Sequence, residues 1–182
     1  GGKNPKGRLR TIETPAVENM KYGPHERQGV DVWFPNGRPS AGGPKTPALI
    51  VLHGGGWVWG DRMPAAASWL GMCRKAGVAL VAVGYRFLQD GEDEGVVPPV
   101  RAPLDDALAA IRLVKRHADE WNIDASRIGL TGGSAGACSS LYVALANDCA
   151  LGIRAVHAQW PQTSLDPKEM REWIPNSTYG AG

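Results

Sequence analysis

The sequence predicts an α/β fold, a mostly parallel sheet with helices on both faces. Three observations carry this. Short runs rich in valine, isoleucine and leucine alternate with longer helical patterns along the chain. Three of these runs are apolar almost throughout instead of alternating with polar residues, as strands covered on both faces are. Two of them lead into glycine-rich stretches, HGGGWVWGD from His53 and LTGGSAGAC from Leu130, where a chain can leave a strand and enter a helix.

Strands are expected at GVDVWF (29–34), PALIVLH (47–53), VALVAVGY (78–85), RIGLTG (127–132) and IRAVHAQW (153–160). Helices are expected at 64–76, 103–121 and 135–147. The second helix is the most clearly patterned. Leu104, Ala107, Leu108, Ile111 and Val114 recur at helical spacing, with Asp105, Arg112, Lys115 and Asp119 on the other side. PNGRPSAGGPKTP (35–47) reads as a surface loop joining two strands, and the acidic RFLQDGEDEGVVPPVR (86–101) as a solvated loop that could border a site.

At 182 residues and 43% apolar content, residues 1–182 read as one domain with one core. Lysine and arginine number 20 against 18 acidic residues, with no long block of either sign, so nucleic acid is not an expected partner. No run approaches the roughly 20 apolar residues of a membrane span, and the start GGKNPKGRLR has no apolar signal core. A soluble protein is expected, either cytoplasmic or exported with its signal peptide removed. Cys73, Cys138 and Cys149 show no metal-ligand spacing and no even disulfide framework, and read as small buried side chains.

A strand, then Gly132-Gly133-Ser134-Ala135-Gly136, then an alanine-rich segment is the context in which a Gly-x-Ser-x-Gly string carries chemistry. Small neighbours give a tight strand-to-helix turn its room, and a serine there faces the carboxyl ends of the strands beside a helix N-terminus. The plainer reading is a turn that caps a helix. HGGGW after an earlier strand adds weight to the chemical one, because three glycines let backbone N–H groups face a substrate oxygen with no side chain between.

From about Val30 to Asp166 the chain resembles the α/β-hydrolase family, and within it the hormone-sensitive-lipase-like bacterial esterases and carbohydrate-ester hydrolases. The resemblance rests on VLHGGGWVWGD, VAVGYR, PPVRAPLDDALAAIRLV and WNIDASRIGLTGGSAGA. It implies an α/β-hydrolase-type sheet, Ser134 as nucleophile, and an oxyanion hole made by the N–H groups of Gly55, Gly56 and Ala135. It implies that His53 shapes the loop and is not the base. It also implies a serine carboxylester hydrolase that needs no metal and no organic cofactor. Gly133 stands where many lipase-like members carry aspartate, as in relatives acting on acyl groups of sugars. A short-acyl ester, with an acetylated saccharide as the favoured example, is therefore the expected substrate. Trp57 and Trp59 are candidates to line its pocket, or equally to pack beneath the loop.

The family order is serine, acid, histidine. His25 precedes the sheet, His53 lies in the glycine loop, and His117 near a helix end reads as solvent-facing. His157, inside a strand, reads as a packed core residue. Asp166 follows the strand 153–160, where some α/β-hydrolases carry the acid and most do not; the other reading is that it begins the next turn. The expectation is therefore the N-terminal part of such a domain, lacking its C-terminal strands, with base and acid on about 100 further residues or on a complementing chain. Pairing of the exposed sheet edge with such a chain or with another copy is expected. If the 182 residues were the whole protein, a noncatalytic α/β-hydrolase-like binding module would be the better reading.

Overall fold

The computed structural model describes residues 12–37, 39, 42–145, 151–162, 164, 166, 168, 169 and 172. In chain order the elements are β1 (Val17–Lys21), β2 (Gly29–Trp33), β3 (Thr46–Leu52), α1 (Arg62–Lys75), β4 (Ala79–Val83), α2 (Leu88–Asp93), α3 (Arg101–Arg116), β5 (Ile123–Gly133), α4 (Ala135–Leu145) and β6 (Ile153–Gln159). The strands form one sheet in the order β1-β2-β4-β3-β5-β6. β2 is antiparallel to both its neighbours, and β4, β3, β5 and β6 run parallel. The expected mostly parallel sheet is therefore present.

The central strands show why their sequences lack alternation. On β3 and β4, Ile50, Leu52, Val81 and Val83 join the core beneath α3 and α4, while Val51, Leu80 and Ala82 join a second core with Ala66 and Cys73 of α1. Successive side chains point to opposite faces, and both faces are covered. At the ends of the sheet the pattern weakens. β1 and β6 are edge strands with no fully buried residue, which is how VENMK escapes a strand reading from sequence. An apolar groove of about 560 Å³ runs along the α1 side, with Leu49, Trp69, Met72, Val78 and Ala155 in its lining.

Two segments depart from expectation. The expected loop 86–101 contains α2, whose start is fixed by Asp90 Oδ2 accepting from the Phe87 N–H at 2.7 Å. Within it Gly91 is buried, because a Cβ there would stand 2.7 Å from the Pro99 carbonyl oxygen. The expected helix 103–121 ends at Arg116, where the His117 N–H turns back to both Leu113 and Lys115 carbonyls, and the following turn inserts the fully buried Trp121. Arg74 and Lys75 at the end of α1, and Lys115 and Arg116 at the end of α3, suit the negative end of each helix dipole. No helix among the described residues is long and apolar enough to cross a membrane.

Beneath the carboxyl ends of the strands lies a buried polar cluster that the sequence reading did not single out. Asp106, 1% exposed, accepts from Gln28 Nε2 at 2.7 Å, from the Arg86 N–H at 2.8 Å and from Arg86 Nη2 at 2.7 Å. Asp31, on β2, accepts from Arg62 Nε at 2.6 Å and from the Asn19 N–H at 2.6 Å. These bonds tie β2, the end of β4, α1 and α3 together under the loops that follow. Each buried carboxylate has an arginine partner, as burial of a charge requires.

Candidate active site

Ser134 stands between β5 and α4 with φ +52°, a left-handed conformation unusual for any residue with a side chain. Its backbone is held on both sides. The Ser134 N–H donates to the Gln159 carbonyl at 2.9 Å at the end of β6, and its own carbonyl accepts from the Cys138 N–H at 3.0 Å in the first turn of α4. The glycines around it are dictated by lack of space. A Cβ on Gly132 would lie 2.5 Å from the Leu52 carbonyl oxygen, and one on Gly136 would overlap that same oxygen and reach within 2.6 Å of the His53 carbonyl oxygen. The turn from β5 to α4 is thus pressed directly on the end of β3. Ala135, the first residue of α4, has an N–H that no helix geometry satisfies, at the positive end of the helix dipole.

The second glycine stretch leaves β3 alongside. Gly54 lies against the serine turn, where a Cβ would meet the Gly133 carbonyl oxygen at 2.9 Å and Ser134 Cβ at 3.7 Å. The Gly55 carbonyl accepts from the N–H groups of Val58 and Trp59 at 3.0 and 3.2 Å, closing a tight turn. Gly55 and Gly56 both have positive φ, +115° and +60°. Behind the loop His53 is 5% exposed, with Nδ1 2.8 Å from the Gly54 carbonyl oxygen. A carbonyl only accepts, so this contact places the proton on Nδ1.

Tyr85, just past β4, braces that histidine. Its hydroxyl donates to the His53 carbonyl at 2.6 Å and lies 3.0 Å from Nδ1, and the two rings stack at 4.0 Å. Phe87 meets both rings edge-on, and the Arg27 guanidinium lies 4.0 Å above the Phe87 ring. Burial holds the His53 imidazole below its ordinary titration range and the Tyr85 phenol above its own. Sequence reading singled out His53 but not Tyr85; the available signal was the tyrosine of VAVGYR at the end of a strand run.

The two loop tryptophans separate. Trp57 is 7% exposed, its Nε1–H donates to Ser139 Oγ of α4 at 2.9 Å, and its ring lines a cavity of about 430 Å³ with Val100, Leu104 and Tyr142. Trp59 is 70% exposed and lines a cavity of about 510 Å³ with His53, Gly55, Asp61 and Pro64. Asp166 is exposed, and its Oδ1 accepts from the Lys168 N–H at 2.7 Å. His157 departs from its expected place in the core. On the edge strand β6 it is exposed, edge-on to Trp69, with Nδ1 3.3 Å from Thr131 Oγ1. His117 stacks on Trp121 and pairs with Glu120 instead of standing free in solvent. Cys73 is a buried thiol, pushed up to about 11 by desolvation, and Cys138 is half-buried against Gln162. Cys149 lies outside the described residues. No group of three or more His, Cys, Asp or Glu side chains among the described residues is arranged to hold a metal ion.

The geometry gathers a hydroxyl, a helix N-terminus and a glycine loop at the carboxyl end of a parallel sheet, and comparison with known proteins points the same way. Residues 31–167 match the BD-FAE family. The chain belongs to this α/β-hydrolase family. It is 36% identical over 113 residues to the carboxylic ester hydrolase LipN of Mycobacterium tuberculosis, covering 61% of this chain and 28% of that protein. With the ethyl acetate hydrolase of Pseudomonas putida it shares 38% identity over 105 residues, 57% of this chain and 30% of the relative. Among solved structures, a truncated carbohydrate esterase from gut microbiota superposes with a TM-score of 0.60 at 28% identity, over 75% of this chain and 48% of that one. The matches thus span about a third of the curated relatives and about half of the solved one.

Proposed function

We propose that this chain carries the nucleophile half of a serine carboxylester hydrolase acting on short-acyl esters, acetylated carbohydrate among them. The observation that carries the reading is Ser134 itself, a non-glycine residue held at φ +52° between glycines that have no room for a side chain. Strain of this kind persists only where surrounding contacts impose it, and it clusters at reactive sites. The relatives named as ester hydrolases, and the solved relative named as a carbohydrate esterase, support the ester and saccharide parts of the reading.

In the proposed reaction Ser134 Oγ forms a bond to the ester carbonyl carbon while its proton passes to a base. The carbonyl oxygen takes up the electron pair and is stabilised by the N–H groups of Gly55, Gly56 and Ala135. Collapse of this intermediate breaks the bond to the alcohol oxygen, which leaves with the proton from the base. Water then repeats the sequence on the acyl-serine and releases the acid. Backbone N–H groups suit the oxyanion because they are fixed before the charge develops.

The base is not among this chain's own histidines. His53 is turned into the Tyr85 stack, His157 pairs with Thr131 and Trp69, His25 lies 3.7 Å from Asp90, and His117 pairs with Glu120. A histidine and an acid from polypeptide beyond these 182 residues complete the reading, with Asp166 as the one local acid candidate.

Intact-mass spectrometry of the polypeptide from its source, before and after a fluorophosphonate probe, tests it. One adduct per chain, mapped to Ser134 and lost in Ser134→Ala, is the expected result. A cooperatively folded protein that stays unlabelled would overturn the enzymatic reading in favour of a binding module. Removing a triad nucleophile lowers turnover by on the order of a million-fold, so Ser134→Ala also serves as the inactive reference.

A further inference from the structure

One side-chain hydrogen bond joins the glycine loop to the helix that follows the serine. Trp57 stands directly after Gly56, and Ser139, whose Oγ accepts from its indole N–H at 2.9 Å, lies on α4, 82 residues further along the chain. Both residues are buried, with 7% and 1% of their surface exposed. The neighbouring Ser140 shows what a buried serine on this helix otherwise does. Its hydroxyl donates to the Gly136 carbonyl at 2.8 Å, a bond that stays within α4. Ser139 instead gives its oxygen to another element, at a buried position where alanine or leucine would be the better helix former.

The two ends of this bond differ from the glycine between them and the substrate side of the loop. Trp57 has φ +58°, a left-handed conformation that surrounding contacts must impose on a bulky residue. Its carbonyl accepts from the Leu88 N–H at 2.8 Å, at the start of α2. Ser139 shares α4 with Gly136, where a Cβ would overlap the Leu52 carbonyl oxygen, so its helix is pressed on the end of β3. Gly56 has no such anchor. A Cβ there would meet nothing closer than a Val58 methyl at 3.8 Å, so its own torsion and its neighbours place it. The loop is held at its first residue by the Tyr85 hydroxyl on the His53 carbonyl, and after Gly56 by Trp57.

We propose that Ser139 is a positioning residue for the serine reaction: by holding the Trp57 indole it sets where the Gly56 N–H stands relative to Ser134 and the Ala135 N–H. The role rests on the ester-hydrolase reading, in which these N–H groups receive the oxyanion. A donor stabilises that charge only when it lies about 2.7–3.1 Å from where the oxygen arrives. Donors on a loop and a donor on a helix meet that limit together only if loop and helix keep a fixed relation. Without the Ser139 hydroxyl the buried indole N–H loses its acceptor, and the loop shifts to regain one.

Hydrolysis of 4-nitrophenyl acetate is measured for the wild type, Ser139→Ala, Trp57→Phe and the double variant, each with its melting curve. Removing one oxyanion donor outright lowers kcat by roughly 100- to 1000-fold, so displacing one is expected to lower it about tenfold in Ser139→Ala, with KM within about twofold. Trp57→Phe keeps a ring without the N–H and is expected to lose a similar factor, and the double variant no more than either. Ser139→Thr, which keeps the hydroxyl, is expected to recover most of the rate, and Ser140→Ala to retain it. Amide exchange followed by NMR is expected to quicken at Gly56 in Ser139→Ala and not at Ala135, a readout that needs no activity.

Wild-type kcat in Ser139→Ala, or losses that multiply in the double variant, overturns the proposal. So does a loss that Ser139→Thr fails to restore or that Ser140→Ala equals, which would make it an effect of packing. A wild type that neither hydrolyses the ester nor takes a fluorophosphonate label dismisses the enzymatic reading. Quickened exchange at Gly56 would then retain the tie between loop and helix, and unchanged exchange would dismiss that as well.

Discussion

Two glycine-rich turns leave neighbouring parallel strands, and both are crowded by main chain, but the second has at Gly56 a position set on a different principle. After β5, Gly132 and Gly136 are required by crowding, since a methyl group at either would collide with backbone carbonyls at the end of β3. After β3, Gly56 is required by its dihedral angle. Its φ is +60°, yet the nearest atom to a Cβ there would be a Val58 methyl at 3.8 Å, with open space around it. Gly132 and Gly136 are therefore fixed by hard main-chain contacts, as Gly54 and Gly55 are in the glycine loop, whereas Gly56 is fixed by its torsion alone. At Gly56 the loop has room to adjust to a substrate oxygen, while the residue that attacks it stays in place.

Alanine substitutions separate the two cases. Gly136→Ala is expected to lower unfolding free energy by about 3 kcal/mol or more, at the upper end for forced overpacking, because the colliding atoms are main chain. Gly56→Ala should cost about 1–2 kcal/mol, the strain of a left-handed L-residue. D-Alanine introduced at 56 by ligation fits a positive φ and should restore the loss, whereas D-alanine at 136 should not. Denaturant midpoints of the four proteins measure this. Equal rescue at both positions would erase the distinction.

Legibility from sequence followed the same division. The strands β3, β4 and β5 were legible because burial on both faces leaves continuous apolar runs, and the serine turn because crowding leaves glycines at fixed offsets. The helix α2 was hidden by its composition. Leu88–Asp93 contains a glycine and two aspartates, and it exists because Gly91 fits against Pro99 and Asp90 caps its own first turn. Asp106 was legible in principle, since it sits four residues from Ala102 and Ala110 on the buried stripe of α3. What contacts it, Gln28 and Arg86, is 78 and 20 residues away in sequence and follows from the tertiary fold alone. The exposure of His157 is hidden from the sequence for a related reason. Nothing local tells an edge strand from a central one when its residues are IRAVHAQ.

Tyr85 sharpens the comparison from the glycine-loop side. Tyr85→Phe keeps the ring stacked on His53 but removes the hydroxyl that donates to the His53 carbonyl. A loss of about 1 kcal/mol is expected, that of one buried hydrogen bond. Hydrogen exchange should accelerate at Gly55 and Gly56 and stay unchanged at Ala135, because the serine turn rests on β3 and not on the tyrosine. Equal acceleration in both turns would show that the two are one cooperative unit.

The smallest expected effect is a dependence on pH. Desolvation is the main cause that lowers the His53 pKa, with Arg27 and Arg62 adding to it, while the Gly54 carbonyl and Asp61 act in the raising direction. In the unfolded chain the imidazole titrates near its ordinary value of about 6.5. Above that pH both states are neutral at this site and stability does not depend on it. As pH falls below about 6.5 the unfolded state binds the proton first, so stability declines until the folded pKa is reached and then levels off. The unfolding midpoint should therefore drop between pH 7.5 and pH 5 by more in the wild type than in His53→Gln, which keeps a polar side chain without the titration. An equal drop in both would mean that His53 is solvated in solution, and with it that the glycine loop stands away from Tyr85.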